Sequence, residues 1–297
     1  MSVKTTISFH REGGESIVLA NGENGEPFHL LQGSLGLGIA PPSFASTEVP
    51  GGNGSHLRGK RLNERDVFIP VLAEATTAGE VRNQLDRLLR VVSPVDPRPL
   101  WLRVEVAGRD GYRELPVHYA GGLQGDYGAE AGLYHESLGL EFKSFEAFWY
   151  GEEQTITRTV DPASKHFLSD TEPFFPVILS DSTVNDQLVI HVAGDAPTFP
   201  VWTVVPPGED LLIVHTTTGR KFYLDGILTS TLTVDMVNDR LTAAGFMEAA
   251  LWARVSADSS PSFQLLPGEN VLEFSLVGAS SDSTVHVTYR PRFLAGH

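Results

Sequence analysis

The sequence contains no cysteine, and that one absence removes disulfide staples, thiolate metal sites and sulfur nucleophiles together. It accords with a reducing compartment. No apolar run approaches the ~20 residues of a membrane-spanning helix, so no membrane span is expected. Met1–Asn21 has one early lysine but no apolar centre; the stretch His10–Ser16 (HREGGES) sits where a secretory signal would carry one, and export by such a signal is not expected. Basic residues are scarce. The 22 Lys and Arg stand against 37 Asp and Glu, a net charge of −15. The deficit runs through both halves, so no basic domain is hidden in an acidic chain. Nucleic-acid binding, which needs cations to neutralise phosphates, is not expected.

Chemical motifs are equally thin. The ten histidines form no His-x-His or His-x-x-x-His pair, which leaves a metal site without support. No Gly-x-Ser-x-Gly elbow occurs. Gly33–Gly38 (GSLGLG) has the glycines of a phosphate loop, yet Pro41 and Pro42 follow where a helix should begin, so a bulged or closely packed strand is the better reading. Asp225 and Asp235 fall on neighbouring strands and could form the carboxylate pair of a hydrolase, but each lies beside a turn, where acids commonly bond backbone N–H groups. Trp202, in Phe-Pro-Val-Trp-Thr-Val-Val, is expected in a core. Trp252 has a mixed context and is the candidate aromatic for stacking on a sugar ring. No cofactor and no catalytic residue is expected.

What the chain does have is short runs of Val, Thr, Phe and Leu between 29 glycines and 19 prolines, the punctuation of a mainly β protein. One helix interrupts them. Val81, Leu85, Leu88, Leu89 and Val92 share an apolar stripe, Thr77 and Glu80 have capping-box spacing, and Ser93-Pro94 stops the helix. Before it lies a Gly-rich tongue, Pro50–Ser55, followed by Arg58, Lys60, Arg61 and Arg65. Tongues beside concentrated arginines are common assembly elements, since the guanidinium fork favours carboxylates. Gly51, Gly52, Asn53 and these four cations are therefore candidate subunit- or tube-interface residues. Residues 161–176 hold three prolines and no period, and are taken as a linker between domains over 1–160 and 177–297. Strand signals recur every 8–12 residues in the second domain, as in an antiparallel sandwich. Ala250–Ser256 reads as one strand of it, and the last two strands, from Pro267-Gly268 onward, read as a terminal hairpin.

Several of these segments together resemble siphophage distal tail proteins, also known as minor tail proteins in phages of actinobacteria. The resemblance is carried by FFPVILSDSTV, GDAPTFPVWTVVPPGEDLLIVHTTTGRKFYLD, TLTVD, LLPGENVLEF and VTYRPRF, with RLNERDVFIPV and FEAFWYGEEQTITRTV in the first half. It implies a β-barrel-like N-terminal domain carrying one helix and a galectin-like C-terminal β-sandwich. It also implies a structural, non-enzymatic subunit of a long non-contractile tail, at the distal end of the virion's tail and assembled in the host cytoplasm. Six copies would form a ring joining the tail tube to the tail-tip hub, near the tape measure protein and the host-adsorption apparatus. The alternative is a carbohydrate-binding adsorption protein that holds cell-wall saccharide against Trp252.

Overall fold

The computed structural model describes residues 5–19, 26–123, 134–159, 183–260 and 262–297, with backbone alone over 183–186. The chain divides into two compact units: Met1–Glu152 with Arg292–His297, and Glu153–Pro291.

The first unit contains β1 (Thr5–Arg11), β2 (Ser16–Leu19), β3 (Phe28–Leu30), β4 (Pro42–Glu48), β5 (Ser55–Leu62), β6 (Arg65–Glu74), α1 (Ala78–Val92), β7 (Leu100–Val106), β8 (Tyr112–Gly121), β9 (His135–Ser144) and β10 (Trp149–Tyr150). Its main sheet runs β2-β1-β7-β8-β9-β6-β3, every pair antiparallel, and the two end strands approach each other in a nearly closed barrel. Alternation explains the curl. Ile7 and Phe9, Leu100, Leu102 and Val104, Leu115 and Val117, Val67, Ile69 and Val71, and Leu140 and Phe142 all face one interior.

Helix α1 begins as its sequence dictates. Thr77 Oγ1 accepts from Glu80 N at 3.2 Å, and Glu80 Oε2 accepts from Thr77 N at 3.2 Å. The apolar stripe is turned from the expected one: Val81, Leu88, Val91 and Val92 are buried, whereas Leu89 is 44% exposed. On a wheel of 3.6 residues per turn, Leu89 and Val91 flank the stripe about 80° to either side of its centre. Arg87, on the Val91 flank, bonds Glu15 and the Ser16 carbonyl, which draws that flank toward β1 and β2. At the helix end, buried Arg11 donates from Nε to Val91 O at 2.6 Å and from its other nitrogens to the Ser93 and Arg98 carbonyls, satisfying groups that a helix terminus leaves open. Burial lowers the Arg11 pKa, and Asp96 opposes that shift.

The second unit contains β11 (Gln154–Thr159), β12 (Thr183–Val192), β13 (Val201–Val205), β14 (Gly208–His215), β15 (Arg220–Leu228), β16 (Leu232–Asp235), β17 (Arg240–Ala243), α2 (Glu248–Trp252), β18 (Gly268–Val277) and β19 (Thr284–Tyr289). Two sheets, β11-β19-β13-β16-β17 and β12-β18-β14-β15, enclose one core around Trp202, which meets Phe263 and Phe274 edge-on. The final strand, β20 (Arg292–Phe293), pairs with β10 and so belongs to the first unit. There Arg113 stacks 3.9 Å from the Phe293 ring centroid and donates to Ala295 O at 2.6 Å.

Four sequence expectations change. The expected terminal hairpin is absent: β18 pairs with β12 and β14, while β19 pairs with β11 and β13 in the other sheet. Alternation tells a strand to bury one face, and both sheets offer that same core. Residues 250–252 end a short helix instead of opening a strand, and β17 is an additional strand. The division at 152/153 differs from a first domain ending at 160, because β11 pairs with β19 along its whole length. The same division assigns residues 292–297 to the first unit instead of to a second domain running to 297. The linker read over 161–176 lies outside the described residues, as does the strand read at 177–181.

Candidate functional site

Strands β4 and β5 form a two-stranded sheet of their own, and every residue of it is exposed or half-buried. Register runs from Pro42↔Leu62 to Glu48↔Ser55, with a bulge at Arg58 between the Ala45↔Gly59 and Ser46↔Leu57 pairs. The tip is a glycine turn: Gly51 and Gly54 have φ of 73° and 91°, conformations that L side chains rarely adopt. Gly52 N donates to Val49 O at 3.1 Å and closes it.

Opposed residues of an antiparallel pair share a face, so the ribbon has two distinct sides. One carries Phe44 opposite Lys60 and Ser46 opposite Leu57, and Phe44 and Leu57 are each 62% exposed. The other carries Ser43 and Thr47, which accept from Arg61 Nε and Arg58 Nε, both at 3.2 Å. The ribbon is thus amphipathic and basic: Arg58, Lys60 and Arg61 stand against Glu48 alone. A two-stranded ribbon with no buried face contributes little stability to its own chain, and its apolar side is available for a partner.

Six of the seven candidate interface residues, Gly51, Gly52, Asn53, Arg58, Lys60 and Arg61, lie on this ribbon and are exposed. Arg65 does not. It is 2% exposed, and its guanidinium donates to Gly36 O, Gly38 O (2.6 Å) and Ala147 O, 5.8 Å from the Trp149 centroid. Burial pulls its pKa down to about 10. Arg65 is a structural clamp, because β6 turns its first side chain inward to brace the 36–38 loop. That loop bears out the close-packed reading of GSLGLG: a Cβ on Gly36 would lie 2.2 Å from Asp66 O. The sequence reading missed Phe44 and Leu57, since lone apolar residues among polar ones carry no periodic signal.

Elsewhere, Asp225 and Asp235 fall in opposite sheets, on β15 and β16. Asp235 uses both oxygens on its own turn, accepting from Val237 N, Asn238 N and Asn238 Nδ2 at 2.7–3.1 Å. Trp252 closes α2 and is 40% exposed; Phe246 and Met247 before it are 40% and 79% exposed. An open hollow of about 500 Å³ in the first unit is lined by Thr6, Glu105, Arg109, Tyr112 and Glu152, among others. Among the described residues no cluster of His, Asp and Glu could hold a metal, and no helix is long and apolar enough to cross a membrane.

Residues 193–293 match the family described as siphovirus-type tail component, C-terminal domain. A search of curated proteins finds no match. Among solved structures the chain is similar to Dit of phage SPP1, described as a paradigm of the hub adsorption apparatus in phages infecting Gram-positive bacteria. The identity is 14% and the TM-score 0.63, over 97% of this chain and 99% of that one. It is also similar to a chain of the phage P2 baseplate in its activated conformation, with calcium (10%, TM-score 0.53) and with strontium (10%, TM-score 0.52). Each covers 96% of this chain and 98% of that one. Residues 193–293 thus resemble a siphovirus-type tail component C-terminal domain, and the chain that carries them has the fold of SPP1 Dit, a siphophage distal tail protein.

Proposed function

We propose that the protein is a structural, non-enzymatic subunit at the distal end of a long phage tail. There it would form a ring, six copies closing around the tail axis, that joins the tail tube to the hub and the adsorption apparatus. Its partners are sister copies, the tube protein, the tape measure protein and the hub. The observation that carries the reading is the likeness to SPP1 Dit over 97% of the chain, with a matching tail domain over 193–293. The amphipathic ribbon supports it, because repeated head-to-tail contacts need a surface that the isolated subunit leaves uncovered. Electron microscopy of purified protein and of intact tails tests it: six-fold rings at the tail tip are expected, and particles lacking the chain would end the reading. Deletion of residues 50–61 is expected to leave both units folded while tails or rings fail to assemble.

A second reading draws on exposed Trp252, preceded a few residues earlier by exposed Phe246 and Met247. A cell-wall saccharide stacked on that indole would make the second unit an adsorption site. Retention of the protein on host cell wall, lost in Trp252→Ala, is its test.

A further inference from the structure

The outer face of β6 and β9 is built as the counterpart of the ribbon. Leu35 is bridged to Phe68, and Phe68 is paired with Glu141, so these three side chains stand in one row. The next row is Asp66, Lys143 and His118, and the His118 ring lies 5.4 Å from that of Phe145. Leu35 and Ile39 are each 65% exposed and Phe145 64%. Among the described residues, Glu64, Asp66 and Glu141 put carboxylates there, and the Lys143 ammonium is engaged by Glu64 at 2.6 Å. The patch is also rigid. Arg65 clamps the Gly36 and Gly38 carbonyls from beneath, and Gly296 N donates to Leu37 O at 2.8 Å, so the loop presenting Leu35 and Ile39 is held on two sides.

One chain therefore shows an apolar, basic ribbon and an apolar, acidic patch. From this complementarity we infer that the ribbon's Phe44–Leu57 face docks on the Leu35–Phe68–Phe145 face of a second copy of this chain. Lys60, which shares that face with Phe44, then lies against Asp66 and Glu141. The inference rests on the ring reading and gives it a contact. The two surfaces differ, so the contact is head-to-tail, and repetition by a constant rotation closes a ring without leaving either surface bare. Apolar burial supplies the attraction, and the opposed charges fix register and discourage contact between two ribbons or two patches.

The missing cysteines make the test clean. Leu57→Cys and Leu35→Cys both alter exposed side chains, so each full-length variant should fold. Mixed in equal amounts and treated with a short bis-maleimide, they are expected to give a 57–35 heterodimer as the main product, while each variant alone stays uncross-linked. A chain carrying both substitutions is expected to give a covalent ladder. Homodimers only, or no cross-link, would overturn the contact. Native mass spectrometry of the unsubstituted protein separates the two ideas: an oligomer without the 57–35 link removes this contact and leaves the ring, and a monomer at every concentration and in tails removes both.

Discussion

The imidazole Nε2 of His215 lies 2.9 Å from Asn270 Oδ1, with both residues fully buried between the two sheets of the second unit. The amide of Asn270 cannot be turned round. Its Nδ2 faces the carbonyls of Ile190, Leu266 and Gly268, and Oδ1 also accepts from Leu266 N at 2.7 Å. His215 must then donate from Nε2. One asparagine ties β14, β18 and the Pro267-Gly268 turn together.

Asn270→Ala is accordingly expected to destabilise the second unit by about 2–4 kcal/mol, because it strands a buried N–H, three carbonyls and an imidazole donor. Urea unfolding followed by tryptophan fluorescence would show it, as Trp202 sits in the same core. A midpoint unchanged from the parent would contradict this account of the Asn270 network.

Arg65 and Lys60 should separate structure from assembly. Arg65→Met is expected to cost the first unit about 2–4 kcal/mol, since the Gly36, Gly38 and Ala147 carbonyls lose their donor. Lys60→Ala, on the exposed ribbon beside Phe44, is expected to change stability by less than about 0.5 kcal/mol and to weaken self-association instead. Chemical denaturation and sedimentation, run on both variants, check the pair; equal loss of stability would refute the distinction.

Acid should loosen the start of α1. The Glu80 pKa is lowered, first by the Thr76 hydroxyl and then by the Thr76 and Thr77 backbone. A group depressed in the folded state adds stability that is complete above its unfolded value of 4.5 and is lost as the pH falls through the lowered one. The melting-temperature gap between the parent and Glu80→Gln is expected at pH 7 and should shrink at pH 3. A gap that persists unchanged in acid would count against the capping role.

A fragment of the second unit should fold when cut where its strands end. Residues 153–291 include β11, whose Ile156 packs on the sandwich core and whose backbone covers β19. A fragment of 170–297 lacks β11, bares the edge of β19, and carries the 292–297 segment without the strand it pairs with. The first is expected to unfold cooperatively and at higher urea than the second. The reverse order would argue that β11 contributes nothing.

Much of this architecture could be read in advance, and the failures have physical causes. Thr77, Glu80, Val81, Leu88 and Val92 announced α1 because caps and a 3.6 period are local signals. The partner of a strand is not local, so β18 and β19 passed for a hairpin although their six-residue connection carries the chain from one sheet to the other. Ala250–Trp252 alternates too briefly to distinguish helix from strand. Arg65 looked like the last of a basic run, and only the inward turn of β6 reveals it as a clamp. The ribbon was legible as a tongue with cations; its apolar side emerged only when register placed Phe44 and Leu57 together.

The return of β20 to the first unit also orders events in time. A ribosome reaches Phe293 only after every strand of the second unit has been made, so until then the first unit lacks the strand that pairs with Trp149. A nascent or prematurely terminated chain presents an unfinished first unit, however well its early strands have formed. The first unit is therefore complete only once Arg292 and Phe293 have been made.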